Sequence, residues 1–342
     1  MKRPVIDENG RIARRLRSRY GNLSVSQAIQ NIVKELLSST NQTHPPININ
    51  SILLIRHVNV CTVMNMHKDG RILPSADGFT VEIAPSPPKR QRFTLAHEIG
   101  HTYFYDSKSS PPQRILYDDS KDEETFCNLF ATEILMPAYM VQTELKRFED
   151  NYDKLSSLDY FERLARKFNV SIETMTRRLI EDLELFHGIA LGSRWFPGSV
   201  SKTKPAPTSP AWRLTWWAAS PEIIPPLYLP PTSKRPKLGL QIAEQAYQNG
   251  KLLDVRLELK DIRLGNLKKI LQDRDRKLTT TEVWAHAYVP RIVKRGSDVD
   301  MQSVASTANS VLREHAEVIL FFPSKLHVPF GSPRFTPLLR EL

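Results

Sequence analysis

The run Arg92-Phe93-Thr94-Leu95-Ala96-His97-Glu98-Ile99-Gly100-His101 places two imidazoles four residues apart, with a glutamate beside the first. On an α-helix, residues four apart lie on one face, so His97 and His101 can grip a single metal ion. Glu98 is then placed to act as a base on water at the ion's open position. HExxH alone recurs by chance, so its surroundings must carry the assignment. They favour a helix: Leu95, Ile99 and Thr102 to Phe104 supply packing positions, and Gly100 lets another backbone come close.

A hydrolytic zinc site usually takes three protein ligands. The candidates for the third are Asp106, Asp118, Asp119, Asp122, Glu123 and Glu124. Glu124 is the best of them, because it starts Glu124-Thr125-Phe126-Cys127-Asn128-Leu129-Phe130-Ala131 and shares a helical face with Asn128. Asn128 can hydrogen-bond the far nitrogen of a metal-binding histidine. Glu123 projects about 100° away and is expected in solvent. Zinc is the expected ion, and Mn²⁺ or Fe²⁺ would suit similar donors. Tyr103, Tyr105 and His187 could donate to an oxyanion, and none is assigned.

Upstream, residues 11–19 are strongly basic and can start a surface helix. Ser24 to Leu37 carries an apolar stripe (Ala28, Ile29, Ile32, Val33, Leu36, Leu37) at helical spacing. Ile52–Ile55 and Val58–Met66 read as strands, Asp69-Gly70 as a hairpin turn between Met66 and Ile72, and Phe79–Ile83 as a further strand. Pro85, Pro87 and Pro88 stop the sheet and set up a helix from about Gln91 to Phe104. Helices at Asp122–Leu135 and Ala138–Phe148 follow, the first with an acidic start that suits the helix dipole. Helix, small sheet, then several helices is an α+β order.

Residues 157–183 read as two helices around a tight turn at Asn169, with Ser171 capping the second. Leu164–Leu179 is helix-turn-helix-like. Packing accounts for its apolar residues, so the reading is a helical hairpin closing the core, with DNA reading as the alternative.

The 342 residues exceed one typical domain. Four parts are expected: a metallopeptidase domain over 1–150, the helical hairpin over 151–190, a Pro-rich segment over 191–236, and a basic α+β domain over 237–342. Ten prolines lie between Trp195 and Pro236, where Trp212, Trp216 and Trp217 suggest one buried strand. Beyond it, helices at Leu238–Gln248 and Val304–Glu314 and strands at Leu252–Leu259, Glu282–Val289 and Val318–Phe322 are expected, with a basic segment at Lys268–Lys277.

The net charge of +11 is unevenly placed. Residues 1–187 hold 25 Lys and Arg against 24 Asp and Glu; residues 188–342 hold 23 against 13. The basic half is compatible with a nucleic-acid or acidic partner, and equally with plain solubility. No stretch approaches the roughly 20 apolar residues of a membrane span, and the N-terminus lacks an apolar signal core, so a cytoplasmic protein is expected. Cys61 and Cys127 do not make a disulfide framework.

The pattern Arg92–His101, then Glu124-x-x-Cys127-Asn128-x-Phe130-Ala131, then Ile134-Leu135-Met136-Pro137, resembles the ImmA/IrrE family of metallo-endopeptidases, from about residue 20 to 187. The resemblance implies a zincin-like core, zinc held by His97, His101 and Glu124, and Glu98 as catalytic base. It further implies a stress or mobile-element role and a protein substrate, a helix-turn-helix transcriptional repressor among those expected. Cys127 stands where the family more often has Ala. A different class of reading is a DNA-associated regulator with a vestigial or structural metal site. Oligomeric state is not legible.

Overall fold

The computed structural model describes residues 6–106, 108–115, 120–151, 157–196, 211–221, 252–258, 282–288 and 317–323. The fold is α+β, and the chain divides into two compact units. One comprises residues 2–153 and 163–175, the other 154–162 and 176–342.

In the first unit, α1 (Arg11–Tyr20) precedes α2 (Val25–Ser39). Ser24 starts α2 through a capping box: its Oγ accepts from Gln27 N at 3.3 Å, and Gln27 Oε1 accepts from Ser24 N at 3.0 Å. The stripe of Ala28, Ile29, Ile32, Val33, Leu36 and Leu37 is buried, as the periodicity requires. The next apolar run corrects the sequence reading. Ile52–Ile55 is no strand; it ends α3 (Ile49–Ile55), whose cap Asn48 accepts from Asn50 N at 3.0 Å. Ile49, Ile52 and Leu53 are buried at helical spacing while Leu54 is 77% exposed. A run this short has no decisive period, and the cap settles it.

The strands β1 (Val58–Thr62), β2 (Gly70–Ser75) and β3 (Gly78–Ile83) form a sheet in the order β1-β3-β2. β1 runs parallel to β3 and β2 antiparallel to it. The hairpin expected at Asp69-Gly70 is therefore absent there. Gly70 begins β2, and the tight connection lies between Ser75 and Gly78, which are paired. Phe79, Val81 and Ile83 point to one buried face.

Pro88 opens α4 (Pro88–His101), three residues earlier than expected, because proline suits the first helical turn. A 3₁₀ turn, Thr102–Phe104, follows and leads into β4 (Tyr105–Asp106), which pairs with β5 (Gln113–Arg114). Then come α5 (Ser120–Leu135) and α6 (Ala138–Asn151). Ile99, Phe126, Phe130, Ile134 and Leu135 are fully buried, and Phe126 stacks on Phe130 at 6.3 Å.

α7 (Ser157–Lys167) and α8 (Ile172–Arg177) are joined through Asn169, whose φ of 54° makes the turn, and Ser171 Oγ accepts from Thr174 N at 3.0 Å. The helical continuation expected to Leu183 is a π-turn, Arg178–Asp182.

The second unit is built on a five-stranded antiparallel sheet in the order β7-β6-β10-β9-β8, made of β6 (Gly188–Phe196), β7 (Ala211–Ala219), β8 (Leu252–Glu258), β9 (Glu282–Tyr288) and β10 (Glu317–Pro323). β6 was not legible as a strand, since glycines interrupt its apolar residues. Trp216 is buried on β7 and donates from Nε1 to a Glu317 oxygen at 2.6 Å. The helices expected at 238–248 and 304–314 and the basic segment at 268–277 lie outside the described residues. Among the described residues, no helix is long and apolar enough to cross a membrane.

Candidate metal centre

α4 and α5 pack so closely that a Cβ placed on Gly100 would stand 3.0 Å from Cys127 Cα and 3.2 Å from its Sγ. Only glycine allows this approach, and it brings the two ends of the motif together. His97 and His101 point the same way from α4, their Nε2 atoms 3.2 Å apart. From α5, Glu124 Oε2 lies 3.2 Å from His97 Nε2 and Glu124 Oε1 lies 3.6 Å from His101 Nε2. Donors held at about 2.0–2.2 Å around a tetrahedral ion are separated by roughly 3.3–3.5 Å. The three side chains thus have the spacing such an ion requires.

Each imidazole is also oriented from behind. Asn128 Oδ1 stands 3.0 Å from His97 Nδ1, and Glu123 Oε1 stands 2.7 Å from His101 Nδ1. An oxygen acceptor at Nδ1 fixes the proton there and leaves the Nε2 lone pair free to bind metal. Glu123 corrects the sequence reading: expected in solvent, its side chain is only 5% exposed and is gripped by Arg114 on its other oxygen. With α5 pressed against α4, about 100° of rotation moves a side chain from the Nε2 side shared by both imidazoles, where Glu124 lies, to the Nδ1 side of His101, where Glu123 lies. Three consecutive acidic residues at a helix start were the signal in the sequence.

Of the other candidates, Asp106 sits on β4, where its carboxylate accepts from Lys108 N at 3.0 Å. The Asp122 carboxylate approaches Gly10. Asp118 and Asp119 lie outside the described residues. Cys127 was not considered as a donor, yet its Sγ falls within 4.8 Å of the histidine donor atoms. Burial, then Glu123, Glu124 and Glu98, push this thiol well above its ordinary pKa. A neutral thiol is a weak ligand, whereas Glu124 brings its carboxylate oxygens to 3.2 and 3.6 Å from the two Nε2 atoms. Tyr103 packs at 6.2 and 5.4 Å from the rings of Phe126 and Phe130, away from the histidines, whereas Tyr105 lines the cleft. His187 belongs to the other unit.

Glu98 is 5% exposed at the base of a cleft of about 600 Å³. Burial pushes its pKa up to about 7; Glu124 adds to the rise, while His101 and Lys68 oppose it. The same burial, with His101 beside it, lowers the pKa of His97. For His101 burial is outweighed by the hydrogen bond it donates to Glu123 and by the carboxylates of Glu98, Glu123 and Glu124, and its pKa rises. The β2 backbone runs directly over Glu98: a Cβ on Gly70 would lie 2.6 Å from Thr94 Cγ2 and 2.9 Å from Glu98 Oε1.

Residues 57–179 match the model of the M78 peptidases, the IrrE N-terminal-like domain. A radiation response metalloprotease IrrE of Deinococcus radiodurans is 38% identical over 118 residues, 33% of this chain and 34% of its own length. The protein of the same name from Deinococcus deserti is 35% identical over 104 residues, 28% of this chain and 33% of its own length. The chain thus aligns with about a third of the length of these curated relatives. A Mycobacterium tuberculosis transcriptional regulator superposes over 87% of this chain and 76% of its own with a TM-score of 0.39 and 11% identity, too loose a likeness to support an argument. The α4–α5 centre falls wholly within residues 57–179, the span that is similar to the IrrE N-terminal-like domain of the M78 peptidases.

Proposed function

We propose that the protein is a zinc-dependent endopeptidase, with His97, His101 and Glu124 as metal ligands, Asn128 and Glu123 orienting the two imidazoles, and Glu98 as the catalytic base. The observation that carries this is the convergence of two Nε2 atoms and one carboxylate at 3.2–3.6 Å beside a buried glutamate. When bound, zinc supplies Lewis acidity toward a scissile carbonyl and acidifies water.

The protein's own groups supply the rest. Asn128 Oδ1 and Glu123 Oε1 hold the Nδ1 protons, so both Nε2 lone pairs face the centre. Glu98 takes a proton from the attacking water and passes it to the leaving amine. Burial already lifts the carboxyl group of metal-free Glu98 toward neutrality, the direction that suits a group that must both take up and release a proton.

The substrate we assign is a cytoplasmic protein, with a helix-turn-helix repressor the first candidate and a stress response the setting. The name of the Deinococcus relatives, radiation response metalloprotease, supports that setting. Two measurements test the reading. Metal analysis of the purified protein should return one zinc per chain, lost in a His97→Ala/His101→Ala variant. Proteomes of cells carrying wild type or Glu98→Gln should differ in a cleaved protein. Equal cleavage of that protein by Glu98→Gln would end the proposal.

A further inference from the structure

A second cleft, of about 530 Å³, lies in the same unit between α1, the end of α3 and the segment that follows α4. Its lining includes Arg15, Arg19, Arg56 and Lys108 against one acidic residue, Asp106. Arg19 is paired with Glu35 at 2.7 Å. Arg56 is fixed by Thr102 Oγ1, which accepts from Nε at 3.1 Å and from the terminal nitrogen at 2.6 Å, and its guanidinium lies 4.4 Å over the Tyr103 ring. No carboxylate neutralises Arg15, Arg56 or Lys108 among the described residues. The rest of the lining is partly apolar: Leu16 and Phe104 contribute to it, and Ile115 is 39% exposed.

The geometry points to a binding site for an amphiphilic small anion, a carboxylate, phosphate or sulfonate head on an apolar body. The head would meet Arg15, Arg56 and Lys108, where unneutralised cations beside low-dielectric walls concentrate the field. The body would cover Leu16 and Ile115, removing them from water. A bare ion would leave the apolar part of the lining exposed, and a neutral hydrocarbon would leave the guanidiniums unpaired. The faces of Tyr20 and Tyr103 are already taken by Arg19 and Arg56, so the apolar body rests on aliphatic side chains and not in an aromatic sandwich. Tyr105 lines both this cleft and the metal centre, alone among the described residues. The assignment does not depend on peptidase activity.

The test uses 1-anilinonaphthalene-8-sulfonate titrated into the full-length zinc-loaded protein at low ionic strength. Fluorescence should saturate as one site, octanoate should displace the probe, and inorganic phosphate at the same concentration should not. Arg15→Glu/Lys108→Glu, two exposed positions, should weaken binding at least tenfold with an unchanged melting temperature. Ile115→Asp should weaken it similarly; if that variant melts low, the charge variant decides. Unchanged affinity in Arg15→Glu/Lys108→Glu overturns the assignment, and so does displacement by phosphate as effective as by octanoate.

Discussion

Glu123 Oε1 lies 2.7 Å from His101 Nδ1, while Arg114 holds the other oxygen of the same carboxylate. The imidazole nearest the end of α4 is thereby set in ring orientation and tautomer by a residue that does not face the metal position. Replacing such a partner commonly costs 10–100-fold in metal affinity. Glu123→Ala should weaken zinc binding by about that factor, read by competition with a chromophoric chelator. Asn128→Ala should do the same through His97. Wild-type affinity in both variants would show that the imidazoles are oriented by the backbone alone.

Glu98 makes the metal-free protein sensitive to pH. Its pKa is raised in the fold to about 7 from 4.5, so the folded state holds a proton that the unfolded chain has released. Stability therefore falls as pH rises through this window. His101, also raised, contributes stability at low pH that is lost as pH climbs through its own pKa. Glu98→Gln removes the first effect and trims the second, because the Glu98 carboxylate is one of the groups that raise His101. Metal-free Glu98→Gln should be more stable than wild type by about 1–3 kcal/mol at pH 8 and equal to it near pH 4. Denaturant melts at the two pH values check the sign.

Gly100 separates packing from chemistry. A methyl group there meets the backbone of Cys127 at 3.0 Å, which cannot rotate out of the way. Gly100→Ala should destabilise by about 1–3 kcal/mol and, by spreading α4 from α5, weaken zinc binding as well. Calorimetry with and without a chelator would show both losses in one variant.

Gly70 acts on the base instead. A methyl group at this position would press on Thr94 Cγ2 and on Glu98 Oε1, both side-chain atoms that can move. If Glu98 is the base proposed above, Gly70→Ala should keep zinc stoichiometry and most stability yet lower kcat by about tenfold or more, because displacement of a catalytic group by a fraction of an ångström is costly. A fall in bound zinc in place of kcat would place the damage at the ligands.

Chelation should itself loosen the fold. An ion that binds only the folded state stabilises it by mass action, about 4 kcal/mol at a thousandfold excess over its dissociation constant. The melting temperature should rise with added zinc in wild type and stay flat in His97→Ala/His101→Ala.

The order of residues along the chain was enough for much of this. His97 and His101 at i and i+4 share a helix face wherever the helix lies, and Glu124 and Asn128 repeat the relation on α5, so local periodicity alone supplied both halves of the centre. The same periodicity supplied the buried stripe of α2. It failed where local signals compete: Ile52–Ile55 is too short to show a period, and β6 hides among glycines. Glu123 was misplaced for another reason. A helical wheel ranks directions around one axis, but whether a direction meets solvent or a neighbour depends on how near the second helix comes. Gly100 permits a backbone approach that sets Glu124 beside both Nε2 atoms and Glu123 behind His101. The proton affinity of Glu98 was likewise decided in three dimensions, since its burial comes from every element packed around it, β2 included, and from none of them singly.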